Sequence, residues 1–373
     1  MTGYQSADDS SKGEISPAPV IKLSDLTAWR EALKSRRPVL AHLNADTTWL
    51  IQLPIPSSQS KGGSSRSHFN ILLDPWLQGS QSDVASWFST QWHVIEPSVA
   101  TMAELNATLA DLEGINSDDG EEHRLIDAVA ISHEFTDHCH RATLEELSSK
   151  TPVFATDEAA KLIRSWNHFD TVITTPGFPS ASGTWREALA DASGSLPPWL
   201  SIGRVITAGN ALYYHSAVLV VFDLDYNAGP AARTRRKSKA AGGGPGAGAE
   251  AIVYSPHGIQ ATDLACVADA GIKTLALLHG LHDVRIWMTK QLNLGALNGI
   301  KAARTCGAKF WVATHDEAKR GGGLVSWFLR RTAYTLRDAV EAEEARVEEE
   351  ADGGEDFRYE FVELGSGDGM LLS

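Results

Sequence analysis

The densest chemistry in the chain lies in ten consecutive residues, Ile131-Ser132-His133-Glu134-Phe135-Thr136-Asp137-His138-Cys139-His140. Imidazoles offer neutral nitrogen ligands and Asp a hard anionic oxygen, a combination that suits Zn²⁺ or Fe²⁺. The apolar run LIDAVAIS (125–132) immediately before it predicts a buried strand, and RATLEELSS after it a short helix. A loop at the end of a buried strand can turn several side chains toward one point. The plainer alternative is a capped helix start, with Asp137 accepting backbone N–H groups. Further histidines accompany apolar runs: His215 in ALYYHSAVLVVFDL, His257 in AIVYSPHGI, His279 in KTLALLHGL and His315 in AKFWVATHDE. His279 and His282, in HGLHD, have a spacing that fits a pocket rim or a structural role. Cys139 could ligate as a thiolate or pack as a small apolar residue.

The elements that must position these groups alternate in type. SDLTAWREALKS (24–35) opens on a Ser cap and spaces Leu26, Trp29 and Leu33 as a helix does. PVLAHLN, TTWLIQLPI and HFNILLDPWL read as strands, the last two joined as a hairpin by 57–67. SVATMAELNATLADLEG (98–114) reads as a helix with a Gly stop. PVFAT, DEAAKLIRSW and FDTVITT follow as strand, helix and strand, so βα units occupy the middle of the chain. WLSIGRVITA and the runs holding His215, His257, His279 and His315 are further strands. ATDLACVADAG, LGALNGIKAARTCG and GLVSWFLRRTAYTLRDAVEAEEARVEEEA read as helices, and FRYEFVELGSGDGMLL as a closing strand and tail. The expected division is a disordered tail at 1–18, one domain over 19–350 with a mobile Gly-rich basic insertion at 227–250, and a C-terminal tail at 351–373.

Composition narrows the function classes. The 373 residues carry a net charge of -14, which favours solubility and argues against broad nucleic-acid binding. RTRRKSK (233–239) reads as a solvated part of the insertion or as a nuclear-localisation or anionic-partner patch. The three cysteines, Cys139, Cys266 and Cys306, form no CxxC pair, so a reducing compartment, the cytoplasm, is expected. The first residues have no apolar core of a secretory signal, and no apolar run reaches the roughly 18 residues of a membrane span. Among the 11 tryptophans, Trp76, Trp87, Trp92, Trp185 and Trp199 are expected in the core or along an apolar substrate cleft.

SHEFTDHCH resembles the HxHxDH metal motif of the metallo-β-lactamase superfamily, with His133, Asp137 and His138 on matching positions. TTWLIQL followed by HFNILLDPWL resembles the opening strands of the branch holding ascorbate-lactonase-like proteins and N-acyl-phosphatidylethanolamine phospholipases. His215 and His315 fall where that superfamily places later histidine ligands, and Asp74 in LLDPWL resembles a structural position. The likeness covers roughly residues 36–335. It implies an α+β fold, a four-layer αββα sandwich with metal at one edge of its sheets. Two positions depart from the pattern. Phe135 replaces the second histidine of the motif, and AIVYSPHG offers His257 where a bridging Asp is expected.

The resemblance implies a first site drawing on His133, position 135 and His215, and a second drawing on Asp137, His138 and His315. Phe135 leaves the first with two ligands, so one ion is expected, held mainly by the second set and with His257 as a further ligand. Zinc is the expected metal, with iron or manganese as alternatives. The implied activity is hydrolysis of a small-molecule ester, lactone, amide or phosphodiester by metal-bound hydroxide, with Asp137 and His138 catalytic. The competing expectation is a degenerate, non-catalytic member that binds a small molecule or a protein.

Overall fold

The computed structural model describes residues 19–59, 66–82, 87, 89–115, 124–178, 184–190, 193–206, 215–226, 248–286, 290–317, 319–322, 329–350 and 359–373. The expected tail at 1–18 and nearly all of the insertion, 227–247, lie outside these residues. In the first half the chain forms β1 (Val20–Lys22), α1 (Leu26–Lys34), β2 (Val39–His42), β3 (Trp49–Pro54), β4 (His68–Leu73), β5 (Thr90–Trp92), α2 (Met102–Glu113), β6 (Ala128–Ile131), α3 (Arg141–Leu144), β7 (Val153–Ala155), α4 (Asp157–Ser165), β8 (Val172–Thr174) and α5 (Trp185–Ala188). The second half begins with β9 (Leu200–Ile206), β10 (Ser216–Phe222) and β11 (Glu250–Ser255). A 3-10 turn (Ala261–Leu264) then runs into α6 (Ala265–Asp269), followed by β12 (Lys273–His279), β13 (Asp283–Ile286) and β14 (Lys290–Asn293). The chain closes with α7 (Ala296–Cys306), β15 (Phe310–Val312), β16 (Arg320–Gly322), β17 (Leu329–Thr332), α8 (Leu336–Glu350), β18 (Glu360–Val362) and β19 (Asp368–Leu371).

Two sheets carry the architecture. One has the order β1-β19-β2-β3-β4-β6-β7-β8 and the other β18-β15-β12-β11-β10-β9. In the first, β4, β6, β7 and β8 run parallel, as the βα reading of the middle of the chain requires. Alternation along each strand then fixes the layers, because successive side chains point to opposite faces. Trp49, Ile51 and Leu53 of β3 meet Val218, Val220 and Phe222 of β10 in a core between the sheets. Leu50 of the same β3 instead faces α1, α2 and α4, joining Trp29, Leu105, Leu109 and Ile163. Ala217, Leu219 and Val221 of β10 face the other way, toward Val267 of α6 and Ile300 and Ala303 of α7. The result is helix, sheet, sheet, helix: the four-layer αββα sandwich that the resemblance implies.

The C-terminal segment departs from the sequence expectation. Residues 360–371 are not a tail but two strands, one in each sheet. β19 inserts between β1 and β2, pairing Gly369 with Ile21 and Ala41, while β18 extends the second sheet beside β15. The sequence reads as one closing strand before a tail; the split into two arises because each short run takes its ladder from a different sheet. The long helix expected from Gly323 onward is also divided. Leu329–Thr332 pairs with β13, and the helix starts only at Leu336, where Thr335 and Asp338 exchange hydrogen bonds between side chain and backbone N–H in both directions. Trp76, Trp185 and Trp199 are buried, whereas Trp87 and Trp92 are exposed. All three cysteines are free thiols. No described helix is long and apolar enough to cross a membrane.

A Cβ at Gly369 would overlap the ring of buried Trp29, whose Nε1 donates to Gln52 Oε1 at 2.7 Å. Gly369→Val is expected to destabilise the protein by about 1–3 kcal/mol, the usual cost of overpacking, as measured by urea unfolding. An unchanged midpoint would contradict the placement of β19 in the core.

Candidate metal centre

Four loops meet at one edge of the two sheets: 43–48 after β2, 132–140 after β6, 256–258 after β11 and 313–319 after β15. The 43–48 loop ties the others together. Asn44 Oδ1 accepts the N–H groups of Asp46 and Thr48, closing a tight Asx turn. Thr47 Oγ1 donates to the carbonyl of Asp137 at 2.7 Å, and Thr48 Oγ1 to that of Asp74 at 3.0 Å.

Three imidazoles converge there. The ring centres of His138 and His257 are 4.7 Å apart, those of His138 and His315 5.0 Å, and those of His257 and His315 5.2 Å. A tetrahedral ion bound to three ring nitrogens at about 2.0–2.1 Å sets ring centres roughly 5 Å apart. Each ring offers one nitrogen, and the three nitrogens lie within 4.8 Å of one another. Each Nδ1 is committed to an oxygen: His138 to Asp74 Oδ2 at 2.7 Å, His257 to Asn293 Oδ1 at 2.8 Å and His315 to Asp46 Oδ1 at 3.0 Å. Because a carboxylate or amide oxygen only accepts, Nδ1 carries the proton and Nε2 presents its lone pair, the tautomer a metal ligand requires. His138 Nε2 is buried and has no hydrogen-bond partner among the described residues. A buried polar atom left in that state fits a cation that it would ligate.

Burial favours the neutral ring and pushes His257 well below the ordinary histidine value; neighbouring His138 and His315 push the same way. His315 is also lowered, by burial first and then by Lys319. His138 moves up despite its burial, because Asp137 and Asp74 stabilise its charged form. His315 adopts φ 58, a left-handed conformation that a side chain resists. Asp46 holds it there, its carbonyl accepting the His315 N–H at 2.9 Å while its carboxylate takes Nδ1.

Asp137 lies beside the rings, with Oδ1 3.7 Å from His138 Nε2 and Oδ2 3.9 Å from His315 Nε2. Its nearest charged partner is a residue that local sequence did not point to. Lys319 Nζ lies 2.7 Å from Asp137 Oδ2 and 2.8 Å from Asp46 Oδ2. Burial would protonate both carboxyls, but the Lys319 cation overrides it and holds each well below the usual carboxylate range.

The remaining expected ligands are near but differently engaged. His133 Nδ1 accepts the Phe135 N–H at 3.2 Å, which puts the ring proton on Nε2, the opposite tautomer to the other three. Burial drops its pKa to about 3, and its ring centre is 4.2 Å from that of Phe135. His215 donates from Nδ1 to the Gly258 carbonyl at 3.1 Å, bracing the turn after His257. Gly258 makes that turn at φ 78, where a Cβ would collide with Leu294. His279 is buried, bonding to Gly280 and Asn298. His140 is buried as well, against Thr143 Oγ1 at 2.8 Å, and does not face solvent. Cys139 is buried, which pushes its thiol pKa well up and makes it a poor source of thiolate.

No family model matches the chain, and neither does any curated protein sequence. Among solved structures, it is similar to an isothiocyanate hydrolase from Delia radicum gut bacteria, with 13% identity over 90% of this chain and 99% of that one and a TM-score of 0.47. It is also similar to the metallo-β-lactamase fold protein YhfI from Bacillus subtilis, with 12% identity over 89% and 98% of the two chains and a TM-score of 0.42. CmlA, a diiron β-hydroxylase from Streptomyces venezuelae, aligns at 11% identity over 90% of this chain and 54% of its own, with a TM-score of 0.45. The αββα layering is a property of this chain's own strand order and cores. Groups of His and Asp able to hold a metal ion are present at the loop edge.

Asp74→Asn would replace one carboxylate oxygen with an NH2 donor, so that one amide oxygen could no longer accept both the Ser132 N–H and His138 Nδ1 with the Tyr254 hydroxyl. Metal affinity is expected to fall about 10–100-fold, read by competition with a chromophoric chelator on folded protein. Affinity in the parent protein should also weaken as pH falls. A proton competes for His138, whose value lies above the ordinary 6.5, so the loss should begin on the alkaline side of that value. In the metal-free protein the sign reverses. The charged His138 pair adds stability that is full below pH 6.5 and disappears as pH rises through the raised value. A metal affinity flat between pH 8 and pH 6 would contradict the assignment.

Proposed function

We propose that the protein is a hydrolase that uses one divalent cation, held by Nε2 of His138, His257 and His315, to cleave an ester, lactone, amide or phosphodiester bond of a small molecule. The observation that carries this reading is the triangle of three buried imidazoles, each with Nδ1 tied to an oxygen. Three nitrogen ligands with a fourth position open is a catalytic arrangement rather than a closed structural one. Nitrogen donors favour zinc, with iron or manganese as alternatives. When bound, such an ion lowers the pKa of water so that hydroxide is available near neutral pH and polarises the bond to be cut.

The chain's own residues supply the rest. Asp137 faces the same point as the rings. Held ionised by Lys319, it accepts a hydrogen bond from the attacking water and orients it, but it is too weak a base to carry the proton away. A polar cavity of about 330 Å³ borders Glu134 of the motif and is lined also by Asp157, Glu158, Lys161, Arg164 and Arg204. The competing reading, a non-catalytic binding module, is favoured by Phe135 in place of a ligand.

Elemental analysis after loading with zinc should give about one ion per chain. His257→Ala and His315→Ala should each lose the ion and lower kcat/KM on a responsive ester or phosphodiester by at least about 100-fold, as expected when an electrostatic catalyst is removed. A chain that stays metal-free after reconstitution would overturn the hydrolase reading, and one that binds metal but turns over no substrate in a broad panel would favour the binding module.

A further inference from the structure

Next to the three imidazoles lies a second set of ligand-type groups. A carboxylate oxygen from Asp46 and another from Asp137 lie within 4.8 Å of each other and of a ring nitrogen of His315; with that ring given to the first centre, the two carboxylates are the ligands left for a second ion. The Lys319 ammonium sits among them, donating to Asp137 Oδ2 and ion-paired with Asp46, and its side chain is only 11% exposed. We propose that Lys319 is a tethered cation that takes the place of a second metal ion and limits the centre to one. This inference rests on the three-histidine centre proposed above.

Two carboxylates buried this close cannot both stay ionised without a positive charge between them. A divalent ion would supply that charge, but so does an ammonium built into the chain, and it does so at fixed stoichiometry. The position of Lys319 is anchored from its own loop. Its backbone N–H donates to the Glu317 carbonyl at 3.0 Å. The Glu317 carboxylate in turn takes His93 Nδ1 at 2.7 Å and the N–H groups of Val94 and Ile95 at 2.8 and 2.9 Å. The ring of Trp76 closes another side, 5.4 Å from Nζ. Asp46 links the two cation positions, because one carboxylate oxygen fixes the His315 ring and the other pairs with Lys319. Because Lys319 follows His315 by four residues, one short loop delivers both the last imidazole and the cation that replaces the second ion.

The test is metal stoichiometry on the full chain. Wild type, Lys319→Ala and the double variant Lys319→Ala/Asp46→Asn are loaded with excess Zn²⁺, desalted and measured by elemental analysis, with fold checked by circular dichroism. The expected counts are about one, about two and about one. Two ions in the wild type would overturn the inference while leaving the three-histidine centre standing. So would a Lys319→Ala protein that folds and still takes one. No ion in the wild type would remove the three-histidine centre itself, and the inference with it. If Lys319→Ala does not fold, Lys319→Gln, which removes the charge and keeps the side chain's bulk, takes its place with the same expected count of about two, and a count of one there overturns the inference.

Discussion

The site depends on one buried carboxylate. Asp74, fully buried at the end of β4, accepts the Ser132 N–H at 2.7 Å, the Ser132 hydroxyl, His138 Nδ1 at 2.7 Å and the Tyr254 hydroxyl at 2.8 Å. An ionised carboxylate taken out of water costs several kcal/mol unless its lone pairs are filled. Here they are filled by groups from both sheets: Ser132 and His138 follow β6, whereas Tyr254 belongs to β11. The satisfaction of Asp74 and the registration of the two sheets at this edge are therefore the same event. A chain in which the sheets slid past one another would strand the charge.

That constraint explains why the three converging imidazoles can come from far apart. His138, His257 and His315 follow β6, β11 and β15, one strand of the first sheet and two of the second. Each is oriented by an oxygen from a different neighbour: Asp74 at the end of β4, Asn293 on β14 and Asp46 after β2. The orientation of the rings is a property of the folded sandwich and not of any one loop, so the centre is organised before an ion arrives. Burial keeps His257 and His315 uncharged, and the lone pairs face one another with little competition from protons.

The legible and illegible parts of the sequence divide along the same line. The strand at 128–131 and the chemically loaded turn after it are a local signal, an apolar run followed by side chains that have no business in a simple turn. The histidines at 257 and 315 are legible for the same reason. Asp46 and Lys319 are not. Asp46 sits in an ordinary polar turn, and Lys319 in a polar stretch, so each resembles a solvated surface residue. Their meaning lies in a pairing across 273 positions that no local pattern records. The closing run reads as one strand and a tail, and its division into β18 and β19 is missed because three- and four-residue strands gain identity only from their ladders. The helix expected from Gly323 was overdrawn because helical periodicity carries through Leu329–Thr332, where pairing with β13 wins.

The departures from the HxHxDH pattern make sense when taken together. Phe135 removes an imidazole from the side where His133 lies, and His133 turns its Nδ1 to a backbone N–H instead. His257 stands where the pattern has a bridging carboxylate, which removes one negative charge between the two ion positions. Lys319 adds a positive charge against Asp137 and Asp46. All three changes act in the same direction, since each lowers the demand for a second cation: one by deleting a ligand, one by neutralising a bridge and one by supplying the charge covalently. A site simply decaying would lose ligands without gaining compensating groups. Here the histidine that stands in the bridging position has its own orienting amide, Asn293, at 2.8 Å, as the proposed one-ion centre requires.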